Sequence, residues 1–102
     1  MNITMLTPDR EVFKGKISSV KVPGSSGRFQ VLKNHAPIVS SLEEGEVHLV
    51  PDGNHEFFDY ADKTMKTGEK SGKIYRYKIS GGFIEVLNNE ISLLVRGVES
   101  LD

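Results

Sequence analysis

A chain of 102 residues with 13 Lys+Arg against 14 Asp+Glu, and a formal net charge of -1, is the size of one domain and holds no single-sign run of five or six positions. That balance argues against nucleic acid as a partner, because phosphate binding needs a basic stripe that releases counterions, and the absence of cysteine excludes disulfides, thiolate nucleophiles and thiolate-ligated zinc. The N-terminus lacks a basic n-region and reads as mature protein, and no window approaches the roughly 20 apolar residues of a membrane-spanning helix, so membrane association is expected only through another protein.

Apolar residues recur mainly with period two, the mark of half-buried strands, and the chain reads as all-β. Ile3 and Met5 alternate ahead of Pro8, and Val12-Phe13 follow the turn that Thr7-Pro8-Asp9 favours. Lys14-Gly15-Lys16 is predicted as the next turn. Residues 17–22 make a strand with Val20 and Val22 on one face and Ile17 on the other, which requires a bulge or an edge position. Pro23-Gly24-Ser25-Ser26-Gly27 ends it, and Phe29 and Val31 flank Gln30 in a short strand. Residues 33–37 form a loop, since Pro37 bars Ala36 from helical angles.

Ile38-Val39 resume apolar character, Glu43-Glu44-Gly45 turns, and Val47 and Leu49 face inward while Glu46 and His48 face outward. Pro51-Asp52-Gly53-Asn54 predicts a tight hairpin with residues 55–60 as its return. Residues 61–73 are polar, lysine-rich and glycine-punctuated, and are expected to be a mobile surface loop. Tyr75, Tyr77 and Ile79 form an amphipathic strand, and Gly81-Gly82 permits a bend or a close strand approach. Ile84 and Val86 then pair, through an Asn88-Asn89 turn, with Ile91, Leu93 and Val95. Val98 and Leu101 are too few to make a terminal helix. Eight or more short strands argue for one domain, a sandwich or flattened barrel.

Catalytic patterns are missing from this framework. His35, His48 and His55 have no companion at metal-ligand spacing. His48 and His55 would face each other across the predicted Asp52-Gly53 hairpin, where they are expected as solvent-exposed polar positions; only a two-ligand surface site would use them. Glu43 and Glu44 point to opposite faces of an extended chain and read as solvated turn charges. No Gly-x-Ser-x-Gly or Ser-x-x-Lys pattern supports nucleophilic catalysis. Gly24-Ser25-Ser26-Gly27 lacks the Gly-Lys-Ser/Thr ending and the following helix of a phosphate loop, and reads as a turn with a polar tip.

Four segments in order, Thr7-Pro8-Asp9-Arg10-Glu11-Val12-Phe13, Val22-Pro23-Gly24-Ser25-Ser26-Gly27-Arg28-Phe29, Asn34-His35-Ala36-Pro37-Ile38-Val39 and Ile79-Ser80-Gly81-Gly82-Phe83-Ile84-Glu85-Val86, resemble the N-terminal β-domain of the ATP synthase epsilon subunit family. The resemblance covers nearly the whole chain. It implies a flattened β-sandwich or barrel of about ten strands and a non-catalytic rotor subunit of the central stalk. Such a subunit needs no cofactor, docks on the gamma subunit and the polar loops of the c-ring, and couples proton or sodium translocation to ATP synthesis at the cytoplasmic face of the bacterial inner membrane.

By the same resemblance Thr7, His35 and Ser40 match gamma-facing positions. Gly24, Ser25, Ser26, Gly27 and Arg28 match the loop facing the c-ring, although the family often has an acidic residue where Arg28 stands. Pro37, Gly81 and Gly82 match structural landmarks with backbone roles. Residues 51–79 are longer than the family's usual compact hairpin and imply an extended one, with 74–79 favoured over 55–60 as the return strand because it leads into Ser80. Longer family members continue into two helices that block ATP hydrolysis; the sequence ends at Asp102, so coupling without helix-mediated inhibition is expected. The alternative is a small sandwich that binds carbohydrate or peptide, with Phe57, Phe58, Tyr60, Tyr75 and Tyr77 as a stacking platform.

Overall fold

The computed structural model describes residues 1–69 and 72–101. The period-two patterning is realised as ten strands: β1 (Asn2–Leu6), β2 (Glu11–Gly24), β3 (Gly27–Leu32), β4 (Ile38–Leu42), β5 (Gly45–Asp59), β6 (Thr64–Gly68), β7 (Tyr75–Ile79), β8 (Gly81–Leu87), β9 (Glu90–Arg96) and β10 (Glu99–Ser100). No helix occurs among the described residues. β1 runs parallel to β9 and antiparallel to β2, so the path β1-β9-β8-β4-β2 closes on itself; β5, β7 and β10 extend the sheet beyond β2, β3 pairs with β2, and β6 pairs with β5. The result is an all-β flattened barrel measuring 35 × 26 × 20 Å.

Alternation builds the interior. Ile3, Met5, Phe13, Val20, Leu49, Ile84 and Leu93 are fully buried, each contributing roughly 1.5–3 kcal/mol of apolar burial. Asn88 and Asn89 both adopt positive φ (50° and 62°) in the two-residue turn that joins β8 to β9, as the sequence predicts. β2 reverses into β3 at Ser25-Ser26, with Gly24 opposite Gly27.

Two predicted turns are absent. β2 and β5 run straight through Lys14-Gly15-Lys16 and Pro51-Asp52-Gly53-Asn54, giving strands of 14 and 15 residues where short ones are expected. Both turn signals serve bulges instead. Gly15 stands opposite His55 and Ile17 opposite Pro51, so residues 52–54 of β5 are absorbed against the single Lys16. The glycine allows close approach: a Cβ at Gly15 would lie 2.4 Å from the His55 Cβ. A second register shift between Ile17 and Ser19 supplies the bulge expected near Ile17.

The polar stretch 61–73, expected to be a loop throughout, contains β6, which pairs with residues 55–59 of β5. Residues 55–60 are therefore a continuation of β5, and the return to residues 45–49 is made by β7, as favoured from sequence. Lys70 and Ser71 lie outside the described residues. The β5–β6 reversal is held by Asp59: its Oδ1 accepts from the backbone N–H of Ala61 (2.9 Å) and Asp62 (3.2 Å), and its Oδ2 accepts from Lys66 Nζ (2.7 Å). Lys66 also donates to Asp62 (2.5 Å).

The hydrogen bond from Lys66, with those from the backbone, holds the Asp59 carboxyl below the ordinary carboxylate range. A lowered folded-state pKa means the contribution is present above the unfolded value and is lost as pH falls through the folded one. Amide exchange at residues 64–68 is therefore expected to accelerate selectively in acid, below the range where a free aspartate titrates. In Asp59→Asn it should already be fast at neutral pH; equal acid profiles for the two proteins would refute this.

His55 is not solvent-exposed. It is buried against the Phe13 ring at 5.2 Å and 15° interplanar angle. Its Nδ1–H donates to the Gly53 carbonyl (2.9 Å), which leaves Nε2 to accept from the Tyr75 hydroxyl (2.9 Å). His48 pairs across the sheet with Lys21 and Arg76, so no His48–His55 ligand pair exists. Among the described residues no cluster of three potential metal ligands occurs.

Candidate docking surface

The outer face of β1-β9-β8-β4 carries the least ordinary surface. Strand register aligns Leu6, Leu94, Phe83 and Ser41 in one cross-strand row and Thr4, Ser92, Glu85 and Val39 in the next. Val39 is 72% exposed, Phe83 56%, Leu94 50% and Leu6 36%. A solvated face of an antiparallel sheet is ordinarily polar, and apolar side chains gathered on one mark a surface that another molecule covers. A hollow of about 520 Å³ lies here, lined by Leu6, Val39, Phe83 and Leu94. A neighbouring one of about 360 Å³ adds Thr7, Pro8, Gly82 and Arg96.

The alternating set Ile84, Val86, Ile91, Leu93 and Val95 read from the sequence assigns Phe83 and Leu94 no role. The signal was present: Leu93-Leu94-Val95 and Phe83-Ile84 break the alternation that a half-solvated strand needs.

Thr7 and His35 border this face at different ends, and Ser40 lies beneath it. The Thr7 Oγ1 accepts from the backbone N–H of Asp9 (3.2 Å) and Arg10 (3.1 Å), closing the 7–10 turn that walls the smaller hollow. His35 precedes β4 in a tightly held loop: its Nδ1–H donates to the Ala36 carbonyl (2.7 Å). Asn34, at φ 66°, donates its N–H to Asn89 Oδ1 (2.6 Å), and Asn89 Nδ2 donates back to Asn34 Oδ1 (3.0 Å). This amide clamp joins two loops that nothing in the sequence links. Ser40 is half-buried and alternates with outward Val39 and Ser41; its Oγ donates to the Ser41 carbonyl (3.1 Å). Pro37 leads directly into β4, and Gly82 lets β8 approach β9 closely.

The polar tip, at the β2–β3 reversal, adjoins the Ser41 end of this face. Ser25 and Ser41 share a hydroxyl hydrogen bond (2.9 Å), and Ser25 N–H donates to the Ser41 carbonyl (3.1 Å). Ser26 and Gly27 are exposed. The Arg28 guanidinium donates to the Glu46 carbonyl (2.6 Å), and the Glu46 carboxylate accepts from His48 (2.9 Å). That last bond, with help from the charges of His48, Arg76 and Arg28, keeps the Glu46 carboxyl below its ordinary range. The tip is thus a fixed polar structure in which Arg28 sits beside a carboxylate.

The family model for the ATP synthase delta/epsilon chain β-sandwich domain matches residues 1–61, more than half of the chain. The chain belongs to the ATP synthase delta/epsilon family. It is 35% identical over 96 residues to the ATP synthase epsilon chain of Chlorobaculum tepidum, covering 94% of this chain and 89% of that one. It is 32% identical over 94 residues to the epsilon chain of Leptospira borgpetersenii, covering 92% of this chain but 59% of that one. This chain therefore spans well under two-thirds of the Leptospira relative's length. A structure of the Euglena gracilis mitochondrial ATP synthase, OSCP/F1/c-ring, contains a chain that superposes with a TM-score of 0.73 over 97% of this chain and 52% of its own, at 21% identity, which establishes the shared fold.

Against the family's sandwich, the carbohydrate or peptide platform is not favoured. Tyr75, Tyr77 and Phe58 are buried, and the rings pack on one another: Phe57 on Tyr75 at 5.1 Å, and Phe58 on Tyr60 at 4.8 Å. The five rings do line a hollow of about 330 Å³, but they meet one another at 54° and 83° and so present no single flat face for a sugar or peptide to stack on.

Proposed function

We propose that this chain serves as a non-catalytic central-stalk subunit of an F-type ATP synthase. In this reading it docks on the gamma subunit through the β1-β9-β8-β4 face and meets the polar loops of the c-ring with Gly24, Ser25, Ser26, Gly27 and Arg28. Rotation of the membrane ring, driven by protons or sodium ions, is thereby joined to the catalytic head. The site lies peripherally, on the cytoplasmic face of the bacterial inner membrane. The observation that carries the reading is the exposed Leu6-Val39-Phe83-Leu94 face on a sandwich of this family. Its chemistry suits a protein partner, since interface cores gather apolar and aromatic side chains, and Glu85, which also lines the hollow, brings a charge that such a partner has to meet.

Thr7 and the His35 loop then flank the gamma contact, and the strand bearing Ser40 supports it. Both flanks are held by local hydrogen bonds, which keeps the ordering cost of docking small. The tip instead presents hydroxyls and backbone groups, suited to polar loops. Coexpression with a gamma subunit from the same genome is expected to yield an equimolar complex that survives gel filtration. Failure of the well-folded chain to co-elute, together with retention on a glycan array, would overturn the proposal in favour of the ligand-binding alternative.

A further inference from the structure

We propose that the β5–β6 hairpin is a second docking element for the subunit that covers the β1-β9-β8-β4 face, an inference that rests on the docking reading above. The two surfaces share one turn. Thr7 and Pro8 wall the smaller hollow, and two residues on, the Arg10 guanidinium lies 4.1 Å over the Phe58 ring of the hairpin. A partner seated against Leu6, Phe83 and Leu94 meets Thr7 and Pro8, and so arrives beside Arg10 and the hairpin.

The hairpin is equipped for contact at that point. Phe58 stands directly opposite Met65 in the strand register, and Met65 is 44% exposed. Tyr60 packs edge-on against Phe58 at 4.8 Å. Phe58 itself is buried beneath Arg10 and Tyr60, which leaves Met65, Tyr60 and Arg10 to meet a partner; methionine, tyrosine and arginine are side chains that interface cores favour over lysine and glutamate. The hairpin is also held in shape before any partner arrives. Asp59 ties the reversal through Ala61, Asp62 and Lys66, and Lys66 bridges to Asp62 as well. A preformed hairpin loses little conformational freedom on docking.

The chain has no cysteine, so single cysteines report cleanly. Met65→Cys and Phe83→Cys proteins are labelled with a maleimide, alone and in the purified complex with a gamma subunit. Both sites are exposed in the isolated chain, and labelling of both is expected to slow by about tenfold or more in the complex, as burial within an interface requires. Protection of the Phe83 site with unchanged labelling at the Met65 site would overturn the hairpin proposal and leave the docking face standing. Unchanged labelling at both sites in a co-eluting complex would overturn the two together. Amide exchange at residues 64–68 in the unsubstituted chain gives the same readout: slower exchange in the complex supports the hairpin contact, and unchanged exchange refutes it.

Discussion

Replacing Gly82 by alanine is expected to remove a large share of the stability of this protein. Gly82 sits at φ 153°, and a Cβ there would lie 2.1 Å from the Leu94 carbonyl oxygen and 2.9 Å from the Val95 Cα. Those atoms belong to the backbone of β9, so no side-chain rotation relieves the clash; the β8–β9 ladder has to separate. Opening two neighbouring rungs and straining φ together cost about 3 kcal/mol or more. A domain of this size has roughly 5–15 kcal/mol in total, and each kcal/mol moves Tm by roughly 4–8 °C. Thermal unfolding followed by circular dichroism should therefore show a drop of more than about 12 °C, or no cooperative transition. A Tm within a few degrees of the parent would mean that β8 and β9 have more latitude than their register indicates.

The second large effect concerns binding and leaves the fold alone. Phe83→Glu combined with Leu94→Glu puts two carboxylates in the middle of the apolar row, at side chains half-exposed in the isolated chain. Stability should fall by about 1–2 kcal/mol, because neither side chain fills the core but the two carboxylates face each other directly across the β8–β9 ladder. Under a docked partner, each carboxylate would be desolvated without a counter-charge, at a combined cost of about 3–5 kcal/mol. The affinity for a gamma subunit, measured by titration calorimetry, is then expected to fall by about 10²–10⁴-fold. Unchanged affinity in a variant that still unfolds cooperatively would show that the face is not the contact.

Much of this fold was legible because burial on one side of a strand writes itself into alternate residues. Tyr75, Tyr77 and Ile79 are inward and Arg76 and Lys78 outward, as their spacing predicts. Glycine and proline signals were less informative, since a bulge and a reversal use the same residues: Gly15 and Asp52-Gly53 looked like turns and turned out to lie inside long strands. What distinguishes the two cases is the partner strand, which local sequence does not contain. The burial of His55 depends on Phe13, and the clamp on the His35 loop depends on Asn89, 55 residues from Asn34. Such pairs come into being only with the fold. The exposed apolar face lies between these extremes, visible as contiguous Leu93-Leu94-Val95 yet without meaning until the barrel closes and shows which side is the interior.

The length of β2 has a mechanical side. The strand begins at Glu11, just after the turn that walls the apolar hollow, and ends at Gly24, at the polar tip, laddered on the way to β1, β5 and β3. A force applied at the tip reaches the near, Ser41 end of the face through the Ser25–Ser41 hydrogen bonds, whereas its far, Leu6 end is reached lengthwise along this strand. The hydrogen bonds of β2 would then be loaded together in shear, instead of being peeled one after another. A strand folded back at Gly15 would have put the weakest link of the molecule midway along that line.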